Sequence, residues 1–192
     1  MRPKRQAILR TKPHYCVKEL INQFKTHVWG IVETHSGAIF HASDYLLDKL
    51  DSAQRHFLNE IDVTEATPFK EYNFAPPEFR RDIGILEFLH KRVLGKNHPD
   101  IQRLLPFHFD VFGSLRPGEH DKQLYGHILD VQQQHSLHSR SIFGMVYVYN
   151  RLPQNVVNWK AVSTFQRHLT LEAREKCQDA NENWIHFFSC RL

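Results

Sequence analysis

Leu46-Leu47-Asp48-Lys49-Leu50-Asp51-Ser52-Ala53-Gln54-Arg55-His56-Phe57-Leu58-Asn59-Glu60-Ile61 decides the fold class. Its apolar members, Leu46, Leu47, Leu50, Ala53, Phe57, Leu58 and Ile61, return every three or four residues, which is one stripe of an α-helix. Asp44, Asp48, Lys49, Arg55, His56 and Glu60 fall on the opposite face. Ser43 stands where an N-cap is wanted.

The same spacing extends in both directions. Upstream, Val17, Leu20, Ile21, Phe24, Val28, Ile31 and Val32 predict an amphipathic helix between Pro13 and Gly37. Downstream, a helix is expected from Pro76-Pro77, since proline is tolerated in a first turn. Phe79, Ile83, Leu86, Leu89 and Val93 face inward there, Ile85 and Phe88 widen the apolar face, and Gly95 is the stop. Pro99 and Pro106 bracket a short apolar turn, Ile101 to Leu105. Residues 107–140 read as a linker in which Leu124, Ile128, Leu129 and Val131 suit one short helix. Ser141 to Asn150 fits a strand or a buried helix equally, and Pro153 ends it. A last helix, about Asn158 to Cys177, turns Val162, Phe165, Leu169 and Ala173 to one side, and Trp184, Phe187 and Phe188 pack back on the body. The expected fold is all-α. A basic N-terminal arm (1–13) leads into a thumb-like helical domain (14–106), the linker, and a C-terminal helical module (141–192).

With 192 residues, 41% hydrophobic and 24% charged, the chain can bury one ordinary core or two small ones. No stretch approaches the ~20 apolar residues of a membrane span, and no apolar segment of a secretory leader follows the basic start. Three widely spaced cysteines, Cys16, Cys177 and Cys190, do not make a disulfide scaffold. Free thiols in a reducing intracellular compartment, cytoplasmic or nuclear, are expected.

The formal net charge is +4, and its placement is uneven. Arg2, Lys4, Arg5, Arg10 and Lys12 stand among the first twelve residues with no acid, and the remainder is nearly neutral. Such an arm favours a polyanion through counterion release; the plainer alternative is a solvated terminus or the cut edge of a longer protein. Arg80 and Arg81 open the third helix, where the dipole disfavours cations, and are candidates for phosphate contacts beside Glu78 and Asp82. Lys91 and Arg92 suit the far end of that helix on dipole grounds alone.

Chemistry-bearing motifs are missing. There is no Asp-Asp pair to hold two metals, no Gly-x-x-x-x-Gly-Lys loop, no Gly-x-Ser-x-Gly elbow and no His-Glu-x-x-His helix. His135-x-x-His138, and Cys177 with His186 and Cys190, are incomplete zinc patterns. Cys16 near His14 lacks a third, orienting group. No catalytic residue, metal ligand or cofactor is assigned.

Three stretches resemble the region after the catalytic palm of non-LTR, endonuclease-bearing retrotransposon reverse transcriptases. The first is Lys25 to Ala42, similar to the family's thumb helix. The second is Leu47 to Ile61 with its Gln54-Arg55, continued in Ala75-Pro76-Pro77 and Arg80-Arg81-Asp82-Ile83. The third is Tyr149-Asn150-Arg151-Leu152-Pro153, then Val156-Val157, Val162-Ser163-Thr164-Phe165 and Leu169. Their order spans most of the chain. The resemblance implies a non-catalytic C-terminal fragment of an RNA-directed DNA polymerase that supports template–primer binding. Its partners would be RNA or an RNA–DNA hybrid and the palm and fingers of the parent polyprotein, with no membrane. The departures are the palm, the fingers, the Asp pair and the endonuclease, so activity does not carry over. Two alternatives remain at this point: the relic of a truncated retroelement, and a helical protein–protein interaction module presenting Ile85 and Phe88.

Overall fold

A computed structural model describes residues 2–31, 42–64, 66–113, 120–126, 141–178 and 184–188. Among them the protein is all-α, and the only β feature is an isolated antiparallel bridge between Phe107 and Leu124. The helices are α1 (Arg2–Arg10), α2 (Val17–Phe24), α3 (Asp44–Glu60), α4 (Ala66–Tyr72), α5 (Pro77–Val93), α6 (Pro99–Leu104), α7 (His108–Phe112), α8 (Ile142–Asn150), α9 (Gln154–Val157) and α10 (Val162–Gln178). No described helix is long and apolar enough to cross a membrane. Contacts divide the chain into two compact units, Met1–Arg80 and Arg81–Leu192.

In the first unit, Ile8, Leu20, Ile21, Phe24, Val28, Trp29, Phe57, Leu58, Ile61 and Phe74 form one buried cluster. Phe24 stacks on Phe57 at 4.4 Å and meets Phe74 edge-on at 5.6 Å. Burying each such ring is worth roughly 2–3 kcal/mol, so this cluster holds α1, α2 and α3 together. Residues 2–10, expected as an arm, are therefore a docked helix: Ile8 is buried and Leu9 packs beside it.

Two phase errors in the sequence reading have physical causes. α2 continues as a π-helical turn, Lys25–Trp29. The wider turn retards the helix face, so Val28 and Trp29 are buried while Ile31, expected inward, is exposed. On α3 the buried positions are Leu47, Asp51, Gln54, Phe57 and Leu58, with Leu46 in solvent. The stripe is rotated because Gln54 is accommodated in the interior: it accepts from Trp29 Nε1 at 3.0 Å and donates to the Ala75 carbonyl at 3.1 Å. The polar face of α3, Asp44, Asp48, Lys49, Arg55, His56 and Glu60, is exposed as its spacing predicts. Ser43 is the N-cap residue by backbone conformation but makes no side-chain cap bond.

In the second unit, α5 ends at Gly95 with φ +69°, closed by Lys96 N–H to the Lys91 carbonyl at 2.9 Å and Gly95 N–H to Arg92 at 3.0 Å. This is the left-handed stop that glycine makes without strain. The bracketed apolar turn is α6. The ambiguous Ser141–Asn150 stretch is helical, as α8. α10 buries Phe165, Leu169, Ala173 and Cys177, and Trp184 and Phe188 are buried while Phe187 is exposed.

The linker reading changes most. Leu124 is not helical, and His120, Gln123 and Leu124 are buried. Asn150 grips Leu124 from both sides, accepting its N–H at 2.9 Å and donating to its carbonyl at 2.8 Å. Ile128, Leu129 and Val131, like Val32 and Gly37, lie outside the described residues.

Candidate nucleic-acid interface

α1 reads Arg-Pro-Lys-Arg-Gln-Ala-Ile-Leu-Arg and holds no acid. Ile8 and Leu9 anchor it, which leaves Lys4, Gln6, Ala7 and Arg10 in solvent and Arg5 half-buried. Arg10 suits the negative end of the helix, but Arg2, Lys4 and Arg5 occupy the positive end, where the dipole disfavours cations. Helix stability does not account for them. A shallow cavity of about 280 Å³, lined by Lys4, Ala7, Ile8, Gln23 and His27, opens beside this face. Lys18, on α2, is also exposed.

The other expected phosphate contacts are placed differently. Lys12 is turned back onto the end of α3, donating to the Glu60 carbonyl at 2.6 Å and pairing with Asp62 at 3.0 Å. It serves as a tether. Arg81 is 7% exposed, so its guanidinium is not presented to a phosphate. Arg80 packs on Trp29, its Cζ 3.3 Å from the ring centroid, while Phe74 stacks on the same indole at 4.4 Å. Burial pushes the Arg80 guanidinium down to about 9, which leaves it charged at neutral pH. The expected set is thus not one surface. Lys4, Arg5 and Arg10 share α1, whereas Arg80 is packed on Trp29 and Arg81 is buried.

Lys25 was not singled out from the sequence. It stands in the π turn with Nζ 6.0 Å from the ring centroids of both Trp29 and Phe74 and 2.5 Å from the Tyr72 carbonyl. Burial, and then the Arg80 charge, hold its pKa below the ordinary lysine value. The signal was faint: Lys25 precedes Trp29 by four residues, a same-face spacing on a helix, but Phe74 and the Tyr72 carbonyl reach it only through the fold.

The second unit contains a buried polar cluster that histidine counting also missed. His90 is 0% exposed and stacks on Phe165 at 4.0 Å. Its Nε2 lies 2.7 Å from the Trp159 carbonyl, which can only accept, so Nε2 carries the proton. Nδ1 is then the acceptor for the Tyr149 hydroxyl at 3.0 Å. His120 is fixed likewise, with Lys122 N–H donating to Nδ1 at 3.0 Å and Nε2 donating to the Tyr149 carbonyl at 3.1 Å. Burial lowers the His90 pKa and raises that of Tyr149. Every ring nitrogen is occupied and the cluster is closed to solvent, so its chemistry is that of a satisfied core.

Among the described residues no three His, Cys, Asp or Glu side chains gather as metal ligands would. Cys177 is buried on α10, whereas His135, His138 and Cys190 lie outside the described residues. Cys16 is exposed and caps α2, its N–H bound to Glu19 Oε2 at 2.9 Å. The apolar widening of α5 is not an exposed stripe, since Ile85 is buried and Phe88 half-buried.

The protein defined so far is an all-α chain with a docked basic helix at its start. Compared with protein-family models, with curated proteins and with solved structures, it matches none.

Proposed function

We propose that the chain binds nucleic acid through backbone phosphates, without chemistry of its own, as a thumb-like helical piece of a non-LTR retrotransposon reverse transcriptase would. The observation that carries the binding is α1. Three cations crowd the helix end where they are locally unfavourable, no acid offsets them, and two apolar residues dock the helix so that Lys4 and Arg10 face water. The retroelement assignment is supported by the ordered resemblance of the three sequence stretches.

Fluorescence anisotropy with a duplex, an RNA–DNA hybrid and a single strand tests the binding. The expected result is an affinity that falls steeply with salt, with a log–log slope of roughly 0.9 per phosphate neutralised on B-form DNA. Lys4→Ala with Arg10→Ala should reduce that slope by nearly two such increments and weaken all sequences alike. Undetectable binding at low salt, or binding indifferent to salt, overturns the proposal.

A further inference from the structure

The groove of about 280 Å³ beside α1 draws its lining from two elements of the first unit. Lys4, Ala7 and Ile8 stand one turn apart on α1, and Gln23 and His27 stand one turn apart where α2 passes into its π turn. Ile8, 5% exposed, and Ala7 supply an apolar wall. Lys4 and His27 are exposed at the groove and Gln23 is half-buried in it.

Among the described residues, Lys4, Gln23 and His27 have no hydrogen-bond or ion-pair partner. The Gln23 amide therefore keeps two donors and an acceptor in hand beside an apolar wall. No carboxylate is among the described lining residues, and α1 holds no acid. Glu19, one turn before Gln23, is bonded to the Cys16 N–H at 2.9 Å. The groove's charge thus suits a ligand that carries an anion. Clefts for small ligands run from roughly 300 to 1,000 Å³. This one, at the small end, fits a single ring system rather than a helix or a duplex.

We propose that this groove is a nucleobase site, which takes one unpaired base of a single strand while Lys4 holds the adjoining phosphate. The inference deepens the nucleic-acid reading and rests on it. An unpaired base is a flat apolar body with a donor–acceptor edge, tied through its sugar to an anion. Each part has a counterpart here. Ala7 and Ile8 receive the face, the His27 imidazole stacks on the ring, and the Gln23 amide bonds the edge. Lys4 supplies the charge-assisted bond to phosphate. A base within a duplex has its faces stacked and its edge paired, so the groove favours a single strand.

The test compares, in the full chain, a short single-stranded DNA with a strand of equal length and charge in which every sugar is abasic. Affinities are read by anisotropy across a salt series. The wild type is expected to bind the base-bearing strand roughly tenfold tighter, with the same salt slope for both strands. Ala7→Phe fills the groove without changing charge, and His27→Ala removes the stacking ring. Each should abolish the preference and leave the affinity for the abasic strand unchanged. His27→Phe should keep the preference, because the ring acts by stacking. Lys4→Ala should weaken both strands. If the wild type binds both strands equally, the groove is overturned and the phosphate reading stands. If the base-bearing strand alone binds, and salt does not affect it, the groove stands and the phosphate reading falls. A preference that survives both Ala7→Phe and His27→Ala places the base elsewhere and overturns the groove. Failure of either strand to bind at low salt overturns both.

Discussion

His90 carries the clearest single-residue consequence. It is buried neutral, with Trp159, Tyr149 and Phe165 around it, and the Lys122 and Lys96 charges further disfavour a proton. Its folded pKa lies below the unfolded value near 6.5. The unfolded chain therefore binds the extra proton first, and stability falls as pH drops below about 6.5 until the folded pKa is reached. The slope contributed by this one group is at most about 1.4 kcal/mol per pH unit. Urea midpoints between pH 7.5 and 5 should decline in the wild type. His90→Phe should lower stability at neutral pH, by stranding the Tyr149 hydroxyl and the Trp159 carbonyl, yet flatten the decline. An unchanged decline would assign the acid sensitivity to other groups.

At the scale of elements, the repetitive parts were legible and the exceptions were not. The polar face of α3 and the inward Phe165, Leu169 and Ala173 of α10 follow from spacing because those helices bury apolar residues along one line. Spacing cannot register Gln54, whose partners are twenty-five residues upstream and twenty-one downstream. Nor can it register the π turn, whose extra residue exchanges Ile31 for Trp29 in the core. The candidate sites were readable in part. The cations of α1 stand out as an acid-free run, whereas the groove that joins Lys4 to Gln23 and His27 exists only after folding. The segment 120–126 was hidden for the same reason, since distant partners hold it, among them Asn150, Pro106 and Gln154. Asn150→Ala should cost about 1–3 kcal/mol by leaving two buried backbone groups of Leu124 unpaired. It should also raise amide exchange at Leu124 well before α5 or α10 is affected. Equal loss of protection across the unit would show that the segment is not separately held.

At the scale of the whole molecule, two compact units and an uneven charge distribution frame the behaviour. The first unit carries the candidate anion-binding helix, α1, on an aromatic core. The second has its polar interior arranged around Tyr149. Substitutions that weaken anion binding are expected among residues 4–80. Those in the Tyr149 cluster should alter stability and leave the salt slope alone, which anisotropy on His90→Phe at neutral pH can check.

The opposite exposure of Cys16 and Cys177 supplies a chronometer. A thiol-alkylating reagent should label exposed Cys16 readily, whereas Cys177, on the buried face of α10, reacts only during excursions that open the second unit. Mass spectrometry of the digested, pulse-labelled protein would then time those excursions without any added probe. Mildly acidic buffer should quicken the Cys177 clock through His90 relative to a model thiol at the same pH.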